Sequence, residues 1–89
     1  AQASPTVPVD ILDTLGTLHM RMNQLDKART YFDAIIQRDP DNATAYFRVG
    51  QILERQSRAD RAEQFFARAR EISPTENWEA RKVEAGSAN

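Results

Sequence analysis

Residues 10–40, DILDTLGTLHMRMNQLDKARTYFDAIIQRDP, and residues 44–74, TAYFRVGQILERQSRADRAEQFFARAREISP, decide the fold, because the second segment reads as an altered copy of the first. Set end to end, Gly16, Arg21, Asp26, Ala28, Phe32 and Pro40 fall on Gly50, Arg55, Asp60, Ala62, Phe66 and Pro74, each pair 34 residues apart. A fixed period of that length signals a helical repeat array. In such an array each unit buries its apolar face on its neighbours and the stack offers extended binding surfaces. The echo therefore bears on function class as well as on fold.

Within the first copy, Ile11, Leu12, Leu15, Leu18, His19 and Met22 have helical spacing, which predicts a helix over about Asp10 to Met22. Ala28, Tyr31, Phe32, Ile35 and Ile36 again share one face and predict a second helix over about Asp26 to Arg38. Tyr46, Val49, Gly50, Ile52 and Leu53, then Ala62, Phe65, Phe66, Ala69 and Ile72, repeat the pair. Glycine inside a helix costs roughly 1 kcal/mol relative to alanine, so Gly16 and Gly50 call for a close helix approach. The expected arrangement sets Ala28 and Ala62 opposite the glycines, with Phe32 and Phe66 beside each crossing. Pro40 and Pro74 stop the second helices. Asn42 or Asp41 caps the next helix, and Asn23 and Ser57 mark the turns inside each pair. Ser73 and Glu76 are spaced as a capping box for a last helix running to about Ala85.

These residues resemble the tetratricopeptide repeat signature: Leu12, Leu15, Gly16, His19, Ala28, Phe32, Ile35 and Pro40 in the first copy, and Tyr46, Val49, Gly50, Leu53, Ala62, Phe66, Ala69 and Pro74 in the second. The resemblance divides the chain into a flexible arm (1–8), repeat 1 (9–42), repeat 2 (43–76) and a capping helix with a flexible tail (77–89). It implies an all-α fold of antiparallel helix-turn-helix repeats, stacked as a short right-handed α-solenoid of about five helices. His19 and Leu53 stand where the family usually has tyrosine, Ile35 replaces a small residue and Arg38 a late apolar one. The phrase Leu12-Asp13-Thr14-Leu15-Gly16 also resembles repeats of bacterial envelope and secretion proteins, which points to a segment of a larger bacterial scaffold.

Composition bounds the remainder. Eighty-nine residues make at most one small domain, and about three repeat units are normally wanted for stability. The chain therefore reads as a segment of a longer array, with self-association over an open end as the alternative. A net charge of −1 argues against nucleic acid, whose phosphates need a basic face. Arg55, Arg58 and Arg61 cluster near the second turn beside Glu54 and Asp60, as a solvated turn does. The chain has no cysteine and one histidine, and His19 takes a position that packs between helices, so no catalytic constellation is expected. Asp39-Pro40-Asp41-Asn42 lacks the alternating ligands of a calcium loop and reads as cap and turn. No metal or cofactor is expected, and neither a signal-peptide pattern nor an apolar stretch of bilayer length is present. A soluble protein of the cytoplasm or periplasm fits equally well.

Binding is where the resemblance leads. It implies that the first helix of each repeat lines a concave groove, offered here by Asp13, Thr17, Arg21, Phe47, Arg48, Gln51, Arg55 and Lys82, with Asp10, Thr44 and Trp78 among their neighbours. The carboxylate clamp of chaperone adaptors is not met: Asp13 and Trp78 stand where its lysines belong, and Thr17 and Arg48 where its asparagines belong. The implied partner is a protein or peptide, with acidic residues as one option for the arginines. The alternative is an assembly element that stacks on further repeats or on a second copy and leaves the groove idle.

Overall fold

The computed structural model describes residues 7–80. Four helices follow in order: α1 (Val9–Arg21), α2 (Leu25–Arg38), α3 (Ala43–Arg55) and α4 (Ala59–Ile72). Helical conformation resumes at residues 78–80. The expected arm falls largely on residues 1–6, and the expected run of the last helix to Ala85, with the tail, falls on residues 81–89; both lie outside the described residues.

Local chemistry sets the helix ends. At the N-terminus of α1, the Pro8 carbonyl accepts from the N–H groups of Ile11 and Leu12, which brings Val9 into the helix. Asn23 and Ser57 carry φ of 60° and 64°, the left-handed conformation of a Schellman motif. In the first turn Gln24 N–H reaches the His19 carbonyl at 2.8 Å and Asn23 N–H the Met20 carbonyl at 2.9 Å. Arg58 and Ser57 repeat both bonds onto Leu53 and Glu54, at 2.8 and 3.0 Å. Asn42 is the cap of α3, its Oδ1 accepting from Ala45 N–H at 3.0 Å. The capping-box expectation at Ser73 is not met: Ser73 closes α4, donating its N–H to the Ala69 carbonyl at 2.9 Å. Asn77 starts the next helical turn, its Oδ1 accepting from Ala80 N–H at 3.2 Å.

α1 packs against α2, α2 against α3, and α3 against α4. α3 is therefore the inner helix, and it contributes Phe47, Val49, Ile52 and Leu53 to the fully buried core beside Phe32 and Ile35 of α2. The close approach at the glycines is present, and the expected phenylalanines are there. A Cβ added at Gly16 would lie 2.6 Å from Phe32 Cζ, and one at Gly50 2.7 Å from Phe66 Cε1. The phenylalanine rings rest on the glycines, and Ala28 and Ala62 are buried. His19 is half-buried, its Nδ1–H donating to the Leu15 carbonyl at 2.8 Å and its ring 5.2 Å from that of Tyr31, so it packs between helices as expected. Among the described residues, no helix is long and apolar enough to cross a membrane.

Candidate functional site

The first helices of the two repeats, α1 and α3, are tied to one another through their ends. Arg55 Nη1 at the end of α3 donates to the Met20 carbonyl near the end of α1 at 2.9 Å. The Met20 carbonyl, which also accepts from Asn23 N–H, thus takes a second donor, and a cation is set against the negative end of the helix dipole. Gln56 Nε2 donates to Asp26 Oδ1 of α2 at 3.3 Å, so the turn after α3 also faces the first repeat.

Between the N-terminal ends of α1 and α3 lies a recess of about 170 Å³, lined by Val9, Asp10 and Asp13 of α1, Ile35 of α2, and Asn42 and Thr44. Its lining is mainly polar and includes two carboxylates, with Val9 and Ile35 as its apolar part. Asp13 and Thr17 are half-buried and Arg21 is exposed. Arg55 is exposed as well, with its guanidinium engaged by Met20.

The other groove residues read from the sequence take different places. Phe47 is 1 % exposed; its ring stacks on Trp78 at 4.8 Å and lies 5.6 Å from Phe66. It belongs to the core. Arg48 and Gln51 are 8 % and 7 % exposed, joined by a hydrogen bond from Arg48 Nη1 to Gln51 Oε1 at 3.1 Å, with the Arg48 guanidinium 5.7 Å from the Phe47 ring centre. The physical reason is the position of α3, which packs on both sides and meets Trp78 besides. Lys82 lies outside the described residues. The structure thus brings Asp13 together with Asp10 and Thr44, and leaves Phe47, Arg48 and Gln51 as packing.

A second recess, about 240 Å³, opens beside Trp78 and is lined by Phe47, Phe66, Arg70 and Glu76 among others. Arg70 is paired with Glu63 at 2.8 Å, and the Trp78 indole N–H donates to the Ser73 carbonyl at 3.3 Å. Elsewhere on α4, hydrogen bonds to Glu71 and Tyr46 hold the Arg68 guanidinium above its ordinary range. Among the described residues, no group of three or more histidines, cysteines, aspartates or glutamates is placed to hold a metal ion.

A family model described as "Tetratricopeptide repeat" matches residues 14–77. The chain is also similar to the Protein CTR9 homolog of Arabidopsis thaliana, 39 % identical over 49 residues, which covers 55 % of this chain and 4 % of that protein. The chain spans a small fraction of that relative.

Proposed function

The chain belongs to the tetratricopeptide repeat family, whose repeats generally mediate protein–protein interaction, and on that premise we propose that it is a non-catalytic module binding a segment of a partner protein along α1 and its border with α3. The observation that carries this reading is the recess between Asp10, Asp13, Ile35 and Thr44: a mainly polar hollow with two carboxylates in its lining, on the helix that also carries half-buried Thr17 and exposed Arg21. The chemistry of that recess suits a lysine, an arginine or a terminal amine more than an acidic side chain. The arginines that favoured an acidic partner in the sequence are occupied, Arg48 by burial beside Gln51 and Arg55 by the Met20 carbonyl. On this reading the two repeats occupy 9–42 and 43–76, and Trp78 packs on the second of them through Phe47. A bacterial source has only the phrase Leu12 to Gly16 in its favour.

The test is an affinity capture with the 89-residue chain as bait, followed by the same capture with Asp10→Lys combined with Asp13→Lys. Both side chains are outside the core, so the helical circular dichroism stays unchanged while the captured partner is lost. A partner retained in full by the folded double variant refutes this location of the site. The second reading, an assembly element that stacks on further repeats, draws on another surface, the outer face of α1.

A further inference from the structure

The 34-residue period relates the two recesses to one another. Phe47, Glu76 and Trp78, in the recess beside Trp78, are the counterparts of Asp13, Asn42 and Thr44 in the recess at the start of α1, each 34 residues on. The same place in the repeat is therefore built twice, once from short polar side chains and once with aromatic rings. The repeat frame does not require rings there, since the first copy forms without them.

The rings are held in place by the protein itself. Trp78 stacks on Phe47 with 4.8 Å between centres, and its indole N–H donates to the Ser73 carbonyl at 3.3 Å. Phe66 lies 5.6 Å from Phe47 and is tilted 51° to it. Phe47 and Phe66 are buried and Trp78 is half-buried, so Trp78 is the more accessible ring. The charge around the rings is negative on balance. Glu76 and Glu79 are exposed in the lining, and Arg70, the cation of the lining, is paired with Glu63 at 2.8 Å. Arg48 lies against Phe47, its guanidinium 5.7 Å from the ring centre. Three carboxylates thus stand against two guanidiniums.

We propose that this recess binds a trimethylated lysine side chain of a partner protein. An aromatic ring attracts a cation through its quadrupole, tryptophan most strongly. A primary ammonium is compact and strongly hydrated, and its donors lose their water partners on an apolar wall. Methylation removes those donors and keeps the charge, so the trimethylated head enters at lower cost. At about 240 Å³ the recess is smaller than the roughly 300–1,000 Å³ that holds a drug-sized ligand, and it suits one side-chain head group. Charge selects the occupant, because an acidic side chain meets Glu76 and Glu79 as like charges and a neutral apolar one gains nothing from them. This site is separate from the Asp10–Asp13 recess, so either reading can fail without the other.

The test is a titration of the 89-residue chain followed by the NMR shifts of its backbone amides from Asn77 to Ala80. Three probes are compared: the α-acetyl amide of trimethyllysine, the same amide of unmodified lysine, and a neutral isostere with tert-butyl in place of trimethylammonium. Saturable shifts are expected with trimethyllysine, at an affinity about tenfold or more above that of either control. Glu76→Gln combined with Glu79→Gln should weaken binding about threefold or more with helical circular dichroism unchanged. Trp78→Phe, which keeps a ring, should retain part of the affinity that Trp78→Leu abolishes. The absence of saturable shifts, equal affinity for the tert-butyl isostere, or full binding by Trp78→Leu overturns the proposal. Arg81 and Lys82 follow the recess in sequence; a gain of more than about tenfold on converting both to glutamine overturns the choice of occupant in favour of the chain's own cations.

Discussion

Replacing Gly16 or Gly50 by alanine sets two effects of known sign against each other. In a helix interior, alanine is favoured over glycine by roughly 1 kcal/mol, so a helix judged by propensity alone becomes more stable. Against this, the new methyl at residue 16 would sit 2.6 Å and 2.7 Å from Phe32 Cζ and Cε2, and at residue 50, 2.7 Å and 2.8 Å from Phe66 Cε1 and Cδ1. Carbon atoms in contact prefer about 3.5–4.0 Å, so ring and methyl must separate by about 1 Å. Phe32 is fully buried, so its ring cannot swing aside without moving α2 from α1. Overpacking of this kind costs about 1–3 kcal/mol. The net expectation is a loss of about 1 kcal/mol at either position, a fall in midpoint of roughly 4–8 °C for a domain of this size. Urea denaturation followed by helical circular dichroism measures it. Combining Gly16→Ala with Phe32→Leu relieves the overlap, so the double variant loses less than the sum of the two single losses, by at least about 0.5 kcal/mol. A single Gly16→Ala variant that is stabilised by about 1 kcal/mol refutes the packing argument outright, because propensity would then be acting alone.

The caps and turns supply two further expectations. Asn42→Ala removes the acceptor for Ala45 N–H and should cost about 1 kcal/mol, read as a lower thermal midpoint; no change means the cap bond is exchanged for water without loss. Ser57, with φ of 64°, holds a conformation that costs an ordinary residue roughly 1–2 kcal/mol, so Ser57→Gly should raise the midpoint, and by more than Asn23→Gly does. Equal gains at the two turns would show that asparagine has no advantage over serine there.

Much of the fold could be read from the sequence because repeated positions constrain one another. Gly16 alone is weak, but Gly16 and Gly50 with Phe32 and Phe66 in the same register specify two identical helix crossings, and Asn23 and Ser57 specify two identical turns. Helix starts were less legible, since Ser73 and Asn77 are both good caps and the choice depends on how far α4 runs before Pro74 ends it. The groove was the least legible part. The period treats α1 and α3 as equivalent, whereas burial depends on neighbours, and α3 has helices on both sides while α1 packs chiefly on α2. The signal was present in composition: from Ala43 to Leu53, Ala43, Ala45, Tyr46, Phe47, Val49, Gly50, Ile52 and Leu53 are apolar or small, an arc too wide for a helix with one face free. On α1 the equivalent arc is as apolar along Ile11, Leu15 and Leu18 but is not covered. The same inequality carries the functional proposal: where α3 has spent its side chains on packing, α1 retains the carboxylates of Asp10 and Asp13 and the exposed apolar side chains of Ile11, Leu18 and Met22, which is why we propose the first helix as the place to test for recognition.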